Sequence, residues 1–132
     1  MSDVNKEKRP LSPHLSIYRP QLTSVTSILN RITGNSLIIS VILIVWWLLA
    51  ASVSEEHFNF VNTIILSFVG KMILVCSTWA LWYHTLAGIR HLIWDRAIGL
   101  ELDVAYRLGW AVITGSIILT AITIILHVSL VQ

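Results

Sequence analysis

Three long apolar stretches, separated by short polar segments, dominate the pattern of hydrophobic and polar positions along this chain. They cover residues 32–53, 61–87 and 108–130. A helix needs about 20 apolar residues to cross the hydrocarbon core of a bilayer, and each stretch meets that length. The pattern therefore predicts an all-α membrane protein with three transmembrane helices, organised as a single membrane-anchor domain over residues 1–132.

The composition supports the membrane class. The chain has 55% hydrophobic and 12% charged residues, whereas a soluble domain usually carries about 25% charged residues. Residues 1–21 form a polar arm with three prolines, which disfavour a continuous helix. Acidic Asp3 and Glu7 lie among its basic residues, so neither a secretory signal nor a transit peptide is expected. Helix formation becomes favourable from Leu22 onward.

The distribution of Lys and Arg predicts the orientation of the helices. Five of these residues lie between residues 1 and 31 and three lie between residues 89 and 107, but the segment 52–57 has none. Positively charged residues accumulate on the cytoplasmic or matrix side of a membrane. We therefore expect the N-terminus and the second connection to lie on that side.

The segment 79–95 carries the strongest candidate chemistry. His84, Gly88 and His91 are four and three residues apart, which places them on one helix face. An imidazole is a common haem ligand, and a glycine leaves room for a flat ring. The alternative is an interfacial histidine that is hydrogen-bonded to a neighbouring helix.

The predicted topology separates the candidate metal ligands. His84 is expected roughly 6 Å inside the membrane and His127 roughly 30 Å up the third span, at the opposite face. The first span has no histidine. A haem with two histidine ligands would therefore need its second ligand from another polypeptide.

Polar residues near His84 suggest two further interactions. Arg90, His91 and Arg31 are candidates for charge-assisted hydrogen bonds to haem propionates, although each is also explained as a basic anchor at the membrane surface. Ser27 and Arg31 share a face at the start of the first span, where a hydroxyl and a cation suit a quinone carbonyl. The alternative for Ser27 is a solvated or helix-capping serine. Asp95 is a candidate proton donor or a charge partner for Arg31.

Three motifs in this order resemble one family. They are Arg-Pro-Leu-Ser-Pro-His-Leu-Ser-Ile-Tyr at 9–18, Ser-Ile-Leu-Asn-Arg-Ile-Thr-Gly at 27–34, and His-Thr-Leu-Ala-Gly-Ile-Arg-His-Leu-Ile-Trp-Asp at 84–95. Together they resemble the cytochrome b556 subunits of succinate dehydrogenase, the larger membrane anchor of Complex II. The resemblance extends over the whole chain, including its three spans and polar arm.

The resemblance implies specific roles for the matching residues. His84 matches the axial ligand of haem b, with the second ligand supplied by a partner anchor. Ser27 and Arg31 match ubiquinone-site residues, His91 and Arg31 match propionate contacts, and Asp95 matches an acidic residue beside the quinone. Many relatives have histidine where this chain has Asn30, so any propionate contact there is expected to be weaker or absent.

The same resemblance implies a set of partners. They are a second small membrane anchor, an iron–sulfur subunit and a flavoprotein with FAD, within a heteromeric helix bundle in a lipid bilayer; no nucleic acid is expected. Electrons would pass from succinate through the iron–sulfur clusters to ubiquinone. The expected location is the bacterial inner membrane, with the mitochondrial inner membrane as the alternative.

Three other functions remain open from the sequence. The first is the anchor of a quinol:fumarate reductase, which runs the reverse electron flow. The second is a structural anchor without haem. The third is a small transporter, which would need a polar path across the bilayer, and Lys71 alone does not provide one.

Overall fold

The computed structural model describes residues 16–131. In that range it contains four helices and no strand: α1 (Leu22–Val53), α2 (Glu55–Leu66), α3 (Phe68–Trp94) and α4 (Leu102–Val131). Helices α1, α3 and α4 are long and apolar enough to cross a membrane. The prediction of an all-α protein with three transmembrane helices is confirmed. Residues 1–15 of the predicted polar arm lie outside the described residues.

The second predicted span, residues 61–87, is divided in the structure at Ser67. This residue is extended (φ −62°, ψ 162°), and its Oγ accepts a hydrogen bond from the Gly70 N–H at 3.2 Å, which caps α3. A Cβ added at Gly70 would collide with the backbone carbonyl oxygens of Ile64 and Ile65. The apolar pattern continues through this bend, so hydropathy alone did not reveal it.

Ser54 separates α1 from α2 in a similar way. It is extended (φ −165°, ψ 158°), and its Oγ accepts a hydrogen bond from the His57 N–H at 3.3 Å. Glu55 and Glu56 occupy the first turn of α2, where carboxylates interact favourably with the helix dipole. Local capping therefore starts a new helix directly after the first span.

Helix α3 lies between α1 and α4 and packs against both. Its buried residues are Ala80, Tyr83, Ala87 and Arg90. Facing helices contribute small and hydroxyl-bearing residues, including Thr33, Ser116 and Thr120. The Thr33 hydroxyl donates to the Leu29 carbonyl at 2.8 Å, and the Thr120 hydroxyl to the Ser116 carbonyl at 2.7 Å. Such residues permit close helix contact in a membrane, and their hydroxyls are satisfied within their own helices.

Hydrogen bonds between side chains define the helix register. Ser40 Oγ donates to Ser77 Oγ at 2.9 Å between α1 and α3, and Trp82 Nε1 donates to Thr123 Oγ1 at 2.9 Å between α3 and α4. Helices α1 and α3 are antiparallel, and so are α3 and α4. The start of α1, the end of α3 and the start of α4 therefore share one end of the bundle, called here the Trp94 end.

The outer surface of the chain is strongly apolar. Ile42 is 60% exposed and Ile125 is 65% exposed, and many other large aliphatic side chains are similarly uncovered. Water would disfavour so much contiguous apolar surface. Lipid or the helices of another membrane subunit can cover it.

Candidate functional site

The His84 ring is half-buried against helix α1. Its Nδ1 lies 3.2 Å from the backbone carbonyl oxygen of Asn30 and 3.5 Å from Thr33 Oγ1. A carbonyl oxygen can only accept a hydrogen bond, so Nδ1 carries the hydrogen and Nε2 carries the lone pair of the neutral ring. Metal-binding histidines are commonly oriented in this way by a carbonyl on the second nitrogen.

Gly34 allows the ring to lie directly on the α1 backbone. A Cβ added at Gly34 would be 3.0 Å from His84 Cε1, 3.5 Å from Nδ1 and 3.8 Å from Nε2. Ser27, Arg31 and Gly34 are four and three residues apart, so they share one face of α1. The structure therefore brings His84 to the same helix face that carries Ser27 and Arg31.

The surface formed by Ser27, Arg31 and Gly34 on α1 and by His84 and Gly88 on α3 is called the α1–α3 groove. Ser27 and Arg31 are exposed, and within residues 16–131 neither side chain has a hydrogen-bond partner. A Cβ added at Gly88 would meet no atom within 4 Å. Among the described residues, the groove thus has an unpaired hydroxyl and an unpaired cation, and no side chain fills the position of Gly88.

His91 lies on the same face of α3 as His84, about two helical turns further on and about 10 Å closer to the Trp94 end. Its side chain is exposed, and its ring meets Trp94 edge-on with 5.4 Å between centroids. This position is compatible with the predicted contact to an anionic group at the end of the groove.

Arg90 lies on a different face of α3 from His91. It is only 3% exposed, and its guanidinium carbon is 4.6 Å from the centroid of the Trp94 ring. Its Nε is buried and has no hydrogen-bond partner in the described part of the chain. The structure therefore does not group Arg90 with the exposed His91 and Arg31, but it leaves Arg90 with one unused donor.

Asp95 is exposed where α3 ends. Its backbone N–H donates to the His91 carbonyl at 2.9 Å. The following turn is held by a hydrogen bond from Trp94 Nε1 to the Gly99 carbonyl at 3.2 Å. The Asp95 carboxyl is thus placed at the polar boundary of the bundle.

Tyr83 is a site-forming residue that the sequence reasoning missed. It is fully buried, and its hydroxyl donates to the Thr26 carbonyl at 3.1 Å. In the sequence, the indication of this role was the phenolic hydroxyl itself, because a buried tyrosine in an apolar helix requires a hydrogen-bond partner. Thr33 and Gly34 were also missed, since their role depends on contact with another helix.

The remaining described histidines lie away from the groove. His127 is exposed on α4, four residues beyond Thr123, while His84 is two residues beyond Trp82 in the opposite direction. His127 therefore lies farther than His84 from the Trp94 end of the bundle.

No cluster of three or more His, Cys, Asp or Glu side chains in residues 16–131 could hold a metal ion. The three long apolar helices define an integral membrane protein in which a histidine of α3 packs against the backbone of α1.

Comparison with known proteins identifies the family. A family model described as succinate dehydrogenase/fumarate reductase transmembrane subunit matches residues 5–123. The chain is 48% identical over 125 residues to the succinate dehydrogenase cytochrome b556 subunit of Paracoccus denitrificans, covering 95% of this chain and 96% of the relative. It is 40% identical over 115 residues to the cytochrome b556 subunit of Rickettsia conorii, covering 87% and 90%.

A plant relative extends the comparison. The succinate dehydrogenase cytochrome b560 subunit of Marchantia polymorpha is 39% identical over 114 residues, covering 79% of this chain and 80% of the relative. The chain belongs to the family of succinate dehydrogenase cytochrome b subunits. It is a multi-pass inner-membrane protein, and the resemblance based on three sequence motifs is confirmed.

Proposed function

We propose that this chain is the haem- and quinone-binding membrane anchor of a succinate:ubiquinone oxidoreductase. The main support is the hydrogen bond between His84 Nδ1 and the Asn30 carbonyl, which leaves Nε2 as a ligand atom beside the α1–α3 groove. Succinate itself is oxidised by another subunit, and this chain serves the quinone end of the electron path.

His84 would bind the iron of haem b, and a partner anchor would supply the second histidine. The residues fit this group because Gly88 adds no side chain beside the His84 ring, where an added Cβ would meet no atom within 4 Å. Exposed His91 and Arg31 would bind the propionates, whereas the buried Arg90 lies on another face of α3. The bound haem would supply a one-electron carrier within the membrane.

Ser27 and Arg31 would bind ubiquinone at the Trp94 end. The serine hydroxyl would donate a hydrogen bond to a quinone carbonyl oxygen, and the guanidinium would stabilise the negative charge that develops there on reduction. Both side chains are exposed and have no hydrogen-bond partner within residues 16–131. Asp95, exposed at the same end, would transfer a proton toward the reduced quinone.

The proposed partners are a second small membrane anchor, an iron–sulfur subunit and a flavoprotein. The relatives are named as subunits of succinate dehydrogenase, which supports a multisubunit complex. The Trp94 end, with Arg96 and Arg107 nearby, would face the cytoplasm or matrix. The iron–sulfur subunit would therefore dock there, and lipid and the second anchor would cover the apolar helix faces.

Two alternatives have support in particular observations. The family description includes fumarate reductase, so the complex could run quinol:fumarate reduction, which the potential of its quinone would reveal. A structural anchor without haem would retain the His84–Asn30 hydrogen bond only for packing.

A bacterial inner membrane is the proposed location, with the mitochondrial inner membrane as the alternative.

Replacement of His84 by alanine in the complete complex tests the haem proposal. We expect loss of the b-type bands in the reduced-minus-oxidised spectrum, whereas His127→Ala, which changes an exposed histidine on α4, should leave them intact. Masses of the co-purifying subunits should show a complex with three partners. An unchanged b-type spectrum in the His84 variant would exclude this residue as the ligand.

A further inference from the structure

Three residues on one turn of α1 surround the edge of the His84 ring. The Asn30 carbonyl oxygen is 3.2 Å from Nδ1, and Thr33 Oγ1 is 3.5 Å from the same nitrogen. Gly34 lies under Cε1, where a Cβ would be only 3.0 Å away. These contacts restrain both the rotation of the imidazole and its distance from α1.

The Thr33 hydroxyl is itself held in place. Thr33 is only 1% exposed, and Oγ1 lies 2.8 Å from the Leu29 carbonyl and 3.1 Å from the Asn30 carbonyl. Because its single hydrogen is directed to a carbonyl of α1, the oxygen presents a lone pair to the Nδ1–H of His84. Thr33 therefore favours the same tautomer as the Asn30 carbonyl does.

Gly34 controls the approach of the ring. The atom that such a Cβ would meet, His84 Cε1, belongs to a rigid aromatic ring. That ring is already hydrogen-bonded to α1, so it cannot move aside as easily as the end of a flexible side chain. A methyl group at residue 34 would push Cε1 outward and swing Nε2 with it. The bond from Nδ1 to the Asn30 carbonyl would lengthen in the same movement.

We infer that Thr33 and Gly34 are positioning residues that set the tautomer and direction of His84 Nε2 for its bond to haem iron. This inference rests on the proposed function, in which His84 is an axial ligand. Neither residue touches the iron, and both act through the imidazole. Groups that orient a ligating histidine typically change metal affinity by about 10–100-fold when they are removed.

The test uses the purified complete complex with Gly34→Ala and Thr33→Val. Two properties are measured: the rate of haem transfer to added apomyoglobin, and the electron paramagnetic resonance signal of the low-spin ferric haem. We expect haem transfer to accelerate about tenfold and the low-field g value to shift in both variants. These readouts report the ligand bond directly and do not depend on turnover.

Two matched variants serve as controls. Gly115→Ala adds the same methyl group at another helix contact, where it meets the flexible end of Leu86 at 3.1 Å. Thr33→Ser retains the hydroxyl that Thr33→Val removes. Both controls should match the wild-type protein in haem transfer and in the ferric signal.

The outcomes separate this inference from the haem proposal. If His84→Ala abolishes the haem signal but Gly34→Ala and Thr33→Val behave like wild type, the positioning role is wrong and haem ligation by His84 stands. If His84→Ala retains the signal, both are wrong. Equal haem loss in the two controls would indicate a general packing defect and overturn the inference. If Gly34→Ala does not assemble, the comparison of Thr33→Val with Thr33→Ser decides.

Discussion

The hydroxyl of Tyr83 donates a hydrogen bond to the backbone carbonyl of Thr26, 3.1 Å away. Tyr83 directly precedes the proposed haem ligand His84, and Thr26 directly precedes the proposed quinone residue Ser27. The bond therefore joins the two helices at the point where the two parts of the site meet. The Tyr83 ring also packs against Trp79, with 5.6 Å between centroids.

Replacing Tyr83 by phenylalanine should weaken the α1–α3 contact. Loss of one hydrogen bond between membrane helices should lower stability by about 0.6–1.7 kcal/mol, with the b-type spectrum retained. Thermal inactivation of the detergent-purified complex measures this change. Tyr106→Phe, which changes a tyrosine that is 50% exposed, is the control, and an equal loss there would argue against a specific role for Tyr83.

Replacing Ser27 by alanine should slow ubiquinone reduction about tenfold through loss of a hydrogen bond to developing charge. Arg31→Gln should have a similar or larger effect because it removes the cation. Succinate oxidation with an artificial dye acceptor should be preserved in both, since that activity does not require the quinone site. Ser52→Ala, at the opposite end of α1, is the control. Equal loss of both activities would indicate failed assembly.

Asn30→His should leave quinone reduction nearly unchanged. Asn30 contacts His84 through its backbone carbonyl, which any residue retains, and its buried Oδ1 has no partner within residues 16–131. Steady-state ubiquinone reduction and haem content of the purified variant provide the measurements. A large gain in either would show that the side chain at residue 30 matters more than its present contacts indicate.

Ala97→Gly should stabilise the turn between α3 and α4. Ala97 has a positive φ of 56°, a left-handed conformation that costs a residue with a Cβ roughly 1–2 kcal/mol. Part of this gain is offset by the greater flexibility of glycine in the unfolded chain, so we expect a net gain of about 1 kcal/mol or less. Thermal unfolding of the purified complex measures it, and Ala105→Gly, inside α4, should have the opposite sign. A lower stability for Ala97→Gly would contradict the strain at this turn.

The sequence alone determined the number of spanning helices and the shared face of His84, Gly88 and His91, although the second spanning helix is Phe68–Trp94 rather than residues 61–87. Long apolar runs must form helices in a membrane, because every backbone polar group needs an internal partner there. The 3.6-residue period then places residues four and three apart on one face. Both inferences depend only on local chain geometry, and the shared α1 face of Ser27 and Arg31 follows in the same way.

Only the tertiary structure decided which residues those faces meet. The break at Ser67 depends on capping and on the absence of a Cβ at Gly70, both hidden within an apolar run. The burial of Arg90 depends on which side of α3 the other helices occupy. The orientation of His84 is set by a backbone carbonyl on another helix, and every residue carries such a carbonyl. That the Asn30 carbonyl is the one that orients His84 becomes apparent only when packing brings α1 and α3 together.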